Sequence, residues 1–257
     1  MPDFEALLAQ LNEMAPQLSS TRLTLLNRMA SALQVRFDIV LNPESDIATP
    51  LFSEYFASRL LIHHAVVEEN LHKKSFEYLF RDALRHDGRT AQITASSVHP
   101  GADIVVDGTR ISLKTEASKD IRERKITISK FMEARWIRDQ DALGLAQLGS
   151  EKLREHLAGY DRIFMLRAFN RQKGQMNYHL VEIPHRLLTL ALNLDPSDVT
   201  LNPGRSGGGS ALCQDQGLDV FTLRFDGSVE KVTITNLRVD LCITHAKWNI
   251  PLGHNYV

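Results

Sequence analysis

The dipeptide Asp107-Gly108 constrains this chain more than any other two residues. Both residue types tolerate the positive φ of a type I′ turn, and residues 103–106 and 109–116 on either side are rich in β-branched residues, so the segment reads as a two-residue hairpin. Closing that turn sets Val106 opposite Thr109, Val105 opposite Arg110, Ile104 opposite Ile111 and Asp103 opposite Ser112. Side chains alternate along a strand, so Asp103, Ser112, Lys114 and Glu116 take one face while Ile104, Ile111 and Leu113 take the other. Asp103 is then diagonal to Lys114, with the backbones roughly 7–8 Å apart, and a long side chain and a short one can meet at a shared ligand.

A carboxylate and an ammonium meeting at one point suit metal-dependent phosphodiester hydrolysis. The acid holds Mg²⁺, the metal neutralises the phosphate and acidifies a bound water, and the ammonium orients that water or shields developing charge. The competing interpretation is a solvated surface ion pair, worth little.

Pro100-Gly101-Ala102-Asp103 followed by Ser112-Leu113-Lys114 resembles the PD-(D/E)XK nuclease signature. A longer series of ordered blocks is similar to the SmaI-type restriction endonucleases: Pro-Gly-x-Asp-Ile at 100–104, Ser-Leu-Lys-Thr-Glu-Ala at 112–117, and Ser129-Lys130. Tyr160-x-Arg162-Ile163-Phe164-x-Leu166-Arg167-x-Phe169 and Leu180-Val181-Glu182-Ile183-Pro184 continue it, and Phe76-Glu77 lies upstream. This resemblance implies an α/β restriction-endonuclease-like core, with a mixed β-sheet flanked by helices. It also implies Mg²⁺ as cofactor, double-stranded DNA as partner, and a GC-only palindrome such as CCCGGG cut bluntly at its centre. A palindromic double-strand cutter needs two active sites related by the duplex two-fold, so a homodimer is expected. The alternatives on the same fold are a non-catalytic DNA-binding protein and a DNA-processing or repair nuclease, because sites rather than scaffolds carry function.

One departure matters. The acid that the general signature places two residues before the lysine is Ser112, a poor Mg²⁺ ligand, so a second carboxylate must come from elsewhere. Glu116 lies on the catalytic strand face and is ranked first. Glu77, on a helix beside Phe76, is a surface glutamate by its bare pattern, but the Phe-Glu pair of the resemblance makes it a site residue. The expected catalytic set is therefore Asp103, Lys114, Glu116 and Glu77, with Asp103, Glu116 and Glu77 on the metal. Ser112, Lys119, Arg122, Arg124, Lys125, Lys130 and Arg205 are the candidate DNA contacts. Most of these lie in the charged connector after the hairpin, which is otherwise a solvated loop; Arg205 lies in the glycine-rich loop 202–210, which lacks the Gly-Lys-Ser/Thr of a P-loop and otherwise reads as a flexible linker.

The rest of the chain is read around this core. The 257 residues suffice for one large domain, expected over 1–257, with a helical region at 1–50, a catalytic core at 51–195 and a β-rich part at 196–257 carrying DNA-recognition elements. The balance of 30 basic and 31 acidic residues argues only against an indiscriminate nucleic-acid binder, since a site-specific enzyme concentrates its cations in a cleft. Two cysteines without CxxC spacing support neither zinc nor a disulfide framework, and no small-molecule cofactor motif is present. With no basic leader and no apolar run of membrane-spanning length, a cytoplasmic location is expected. Apolar residues at helical spacing from Phe4 to Met14 and from Leu23 to Leu33 predict two N-terminal helices whose methionines are core. Further helices are expected at 51–61, 66–84, 130–139 (capped by Ser129) and 185–194. Strands are expected at 162–169, buried on both faces, and at 177–183, 220–225, 229–235 and 239–244.

Overall fold

The computed structural model describes residues 3–94, 101–118, 120–172, 174–203 and 207–252. Lys119 and Arg205 lie outside the described residues, as do His99 and Pro100 at the head of the hairpin. Two helices open the described chain, α1 (Phe4–Met14) and α2 (Ser20–Leu33), followed by a short strand, β1 (Asp38–Leu41). Thr49 then caps α3 (Pro50–Val66), its hydroxyl accepting from the Phe52 amide with Pro50 in the first turn, where a missing N–H costs nothing. Residues 67–72 are not helical, and α4 (Lys73–His86) therefore starts seven residues later than its periodicity predicts.

Strands β2 (Ala91–Ile93), β3 (Ile104–Val106) and β4 (Thr109–Glu116) follow. The hairpin has the predicted register, Ile104 opposite Ile111, Val105 opposite Arg110 and Val106 opposite Thr109. Asp107 and Gly108 have φ of 49° and 84°, the left-handed pair that a type I′ turn requires. Past β4 come β5 (Lys125–Glu133), α5 (Ala142–Leu157), β6 (Arg162–Gln172), β7 (Gln175–Glu182) and the single turn α6 (His185–Leu188). The chain continues through β8 (Val199–Leu201), β9 (Gly208–Asp215), β10 (Leu218–Asp226), β11 (Lys231–Arg238) and β12 (Ile243–Pro251).

These strands form two sheets in a mixed α/β architecture. The first runs β1-β12-β7-β6-β4-β3-β2, parallel only between β4 and β6; the second runs β5-β11-β10-β9-β8 and is antiparallel throughout. The β-rich C-terminal part is thus divided, because β12 returns to the first sheet between β1 and β7. On one face of the first sheet, α3 and α4 bury Phe52, Phe56, Phe76 and Phe80 against Leu113, Phe164 and Trp248. On the other, α5 and the second sheet bury Ile128, Leu145, Leu153 and Phe225 against Ile163 and Met165. β6 therefore supplies apolar residues to both cores, as its mixed parity predicts.

Four local expectations fail, among them the strand expected at 239–244, which opens as the 3₁₀ turn Val239–Leu241 before β12. Ser129 does not cap a helix over 130–139: β5 continues through it to Glu133, held by pairing with β11 across an irregular register that still buries Phe131. Cross-strand pairing outweighs the local helical signal there. The helix expected at 185–194 is one turn followed by a 3₁₀ segment, Thr189–Leu192. Met14 and Met29 are exposed rather than core. No helix among the described residues is long and apolar enough to cross a membrane.

Candidate active site

The hairpin turn and the first turns of α4 deliver the reactive groups. The Asp103 amide donates to the Ile111 carbonyl at 2.8 Å, continuing the hairpin by one residue and fixing the Asp103 backbone. One carboxylate oxygen, Oδ2, accepts from the Leu113 amide at 2.6 Å and from the Ser112 hydroxyl at 3.3 Å. The other, Oδ1, accepts from the Lys73 ammonium at 2.7 Å. Ser112 thus stands where the general signature has an acid, and it orients the acid that is present. It is fully buried, with its hydroxyl turned to Asp103.

Glu77 is brought to the same place by α4. Phe76 and Phe80 anchor that helix in the core, and Glu77, on the margin of the apolar stripe, is only 6% exposed. Its Oε1 lies 3.6 Å from the Lys73 Nζ, while its Oε2 accepts from Lys74 at 2.8 Å. A single ammonium therefore bridges the Asp103 and Glu77 carboxylates. Lys73 and Lys74 occupy the first turn of a helix that has no acid there and no side-chain cap, which sets two cations against the positive end of the helix dipole. The run His72-Lys73-Lys74 at a helix start is the available sequence signal for Lys73, and periodicity masks it by beginning the helix earlier.

Lys114 completes the group. Burial pulls its pKa down to about 8, the neighbouring positive charges of Lys73 and Lys130 push the same way, and Asp103 and Glu77 oppose them. On the far side, His156 in the last turn of α5 is held near 4 by burial and by the charge of Lys114, so it is neutral at physiological pH. Tyr160 packs its ring against Gly101, which has a φ of 92°; a Cβ there would meet the ring at 3.4 Å. The His156 Nε2 and the Tyr160 hydroxyl are buried with no hydrogen-bond partner among the described residues, so the wall beside Asp103 and Lys114 has polar capacity left to fill.

Glu116 stands apart. Its Oε2 accepts from the Arg167 Nε at 2.6 Å and its Oε1 from the Thr127 amide at 2.8 Å. Arg167, wholly buried, also donates to the carbonyls of Arg122, Glu123 and Lys125 at 2.7 to 3.0 Å. Burial raises the Glu116 pKa, and the guanidinium opposes the rise. The pair clamps the charged connector onto the sheet. Strand alternation places Glu116 on the face of Lys114, as predicted, but both of its oxygens are committed elsewhere.

A family model described as SmaI, a type II site-specific deoxyribonuclease, matches residues 11–250. The type II restriction enzyme SmaI of Serratia marcescens is 36% identical over 213 residues, covering 80% of this chain and 83% of that enzyme. The chain belongs to the SmaI family of type II site-specific deoxyribonucleases. No solved structure matches it at a significant level. The resemblance drawn from the ordered blocks is borne out.

A SmaI-family deoxyribonuclease acts on DNA, and the connector clamped by Arg167 opens onto a basic cleft. Arg124, Lys125, His179, Arg238 and Lys247 line it together with Glu123 and Asp240, around a cavity of about 620 Å³. Lys247 pairs with His179 across β12 and β7, His179 with Arg167 across β7 and β6, and Arg167 with Glu116 across β6 and β4, so one sheet face carries the cleft toward β4. Of the expected DNA contacts, Arg124 and Lys125 line this cleft. Arg122 instead donates to Asn236 at 2.7 Å, and Lys130 pairs with Glu133 while contributing to the field at Lys114. Sequence reasoning misses Arg238 and Lys247, because isolated cations on late strands carry no local signal of a shared cleft.

Proposed function

We propose that this chain is a Mg²⁺-dependent type II restriction endonuclease on a PD-(D/E)XK core, acting as a homodimer on a GC-only palindrome such as CCCGGG. The observation that carries the proposal is the convergence of the Asp103 and Glu77 carboxylates on one cation, with Lys114 alongside. The donor set fits the metal. Mg²⁺ is commonly held by one or two carboxylates, with waters and substrate phosphate completing the octahedron. Among the described residues no group of three His, Cys, Asp or Glu side chains gathers for a metal. Glu77 supplies the second carboxylate and Glu116 does not, because Arg167 and the Thr127 amide hold both Glu116 oxygens. The identity of the palindrome follows from the resemblance to SmaI-type enzymes.

When bound, the metal would neutralise the scissile phosphate and acidify the attacking water. Asp103 is held for that task by the Leu113 amide and Ser112 hydroxyl, so its carboxylate needs little reorganisation. Asp103 and Glu77, which share the Lys73 ammonium here, are the residues that would hold the ion, and Lys73 would then be available to a phosphate oxygen. Lys114, charged at neutral pH, orients the attacking water and shields the charge that builds on phosphorus; above about pH 8 it increasingly loses its proton and can accept one instead. His156, neutral, and Tyr160 close the wall and offer buried sites for an ordered water.

Plasmid DNA incubated with the protein and Mg²⁺ should give discrete fragments, and none when EDTA is present. A smear would replace the restriction reading with a non-specific nuclease, and a mobility shift without scission would replace it with a DNA-binding protein. DNA binding supplies a separate check. Converting Arg124, Lys125 and Lys247 to alanine together should weaken binding across sequences and reduce the slope of log K against log salt by about 0.9 for each phosphate no longer neutralised. An unchanged slope would make the cleft a solvated surface. Lys119, Arg122, Lys130 and Arg205 remain proposed contacts, to be tested by the same slope.

A further inference from the structure

No residue of α1 is buried. Phe4, Leu7, Leu8, Leu11 and Met14 are 70, 48, 41, 43 and 54% exposed, and the first four share one side of the helix at i, i+3, i+4 and i+7. A second apolar stripe, Leu25, Met29 and Leu33, lies exposed along α2, whereas Leu23, Leu26 and Ala32 turn inward. α1 packs chiefly on the 3₁₀ turn Ala15–Gln17 that follows it and α2 packs on α3, so α1 and α2 touch each other only marginally. Exposed apolar stripes on two successive helices mark an interaction site. The charges say what fits it. α1 carries Glu5 at the edge of its apolar stripe, with Asp3 at its N-cap and no basic residue, while α2 carries Arg22 and Arg28 and no acid.

We propose that α1 and α2 form the interface between two copies of this chain, with α1 of one protomer lying on α2 of its partner. A two-fold axis repeats every contact, so an acidic helix meeting a basic one in one half of the interface meets it again in the other half, and the surface is complementary to itself. Phe4, Leu7, Leu8 and Leu11 then cover Leu25, Met29 and Leu33. The inference rests on the homodimer reading above and gives that dimer its contact surface.

Sedimentation velocity on the full-length protein tests it. Leu7→Glu/Leu11→Glu should weaken self-association roughly 100-fold or more, since each buried apolar anchor is used twice. Thermal unfolding should confirm a folded body, as both positions are exposed in the single protomer. Glu5→Arg and Arg22→Glu/Arg28→Glu should each weaken the dimer, and a one-to-one mixture of the two variants should restore it. In the mixed dimer every acidic helix again faces a basic one, a rescue that folding of α1 onto its own α2 does not produce. A dimer that persists at wild-type affinity in Leu7→Glu/Leu11→Glu, or reversed chains that stay apart on mixing, overturns this surface and leaves the two-copy reading standing. A wild-type chain that is strictly monomeric, free and on cognate DNA, overturns both.

Discussion

Replacing Lys114 by methionine is expected to abolish DNA cleavage while raising the thermal stability of the protein at neutral pH. The two effects share one cause, a cation held where burial penalises it. The Lys114 pKa falls from 10.5 to about 8 in the fold, so the folded protein gives up this proton more readily than the unfolded chain. The sign follows from linkage: the penalty is fully present below about pH 8, shrinks as pH rises from there, and is gone above about pH 10.5. Its size is roughly 3 kcal/mol, at about 1.4 kcal/mol for each tenfold change in proton affinity. Methionine keeps the length and packing without the charge, so the melting temperature at pH 7 should rise by several degrees and the gain should vanish near pH 10.5. Asp103→Ala should lower cleavage on the order of 10³-fold or more without any such gain, because it leaves the Leu113 amide, Ser112 and Lys73 without their acceptor. Full activity in either variant at physiological Mg²⁺ would remove the hairpin from the catalytic machinery.

The second large effect separates the two glutamates. Arg167→Met removes a fully buried guanidinium and strands the Glu116 carboxylate together with three backbone carbonyls, at an expected cost of about 3–5 kcal/mol. Glu116→Gln should likewise lower the melting temperature, though by less, since the amide still fills the space and accepts one hydrogen bond. Glu77→Gln should do the opposite on both readouts, removing cleavage while the fold melts near its wild-type temperature. Measuring rate and unfolding on the same samples decides the matter. Loss of activity without destabilisation in Glu116→Gln, with full activity in Glu77→Gln, would return the second carboxylate to β4.

The hairpin was legible because its information is local. Asp107-Gly108 specifies the turn, the turn specifies the register, and register with strand alternation places Asp103 and Lys114 on one side of the sheet. β6 was legible in the same way, its mixed parity announcing a strand with a core on each face. What alternation does not say is which groups cover a face. Glu116 and Lys114 share one, yet the parallel pairing of β4 with β6 sets Arg167 beside Glu116 from 51 positions along the chain. That pairing depends on how β5 and α5 carry the chain across, and no local pattern encodes it. β5 shows the same limit from the other side, since pairing with β11 makes a strand of residues whose own signals favour a helix.

By itself, then, the sequence determined the hairpin, the placing of Asp103 with Lys114, and membership of a nuclease family through ordered blocks, all properties carried by neighbours along the chain or by motif order. Only the tertiary structure decided that Lys73 and Glu77 come to Asp103 from a helix, that the Ser112 hydroxyl turns to Asp103, and that Glu116 pairs with Arg167 against a loop. The physical reason is that a carboxylate takes its role from the charges and donors within about 4 Å of it, and here Lys73 reaches Asp103 from 30 positions away and Arg167 reaches Glu116 from 51.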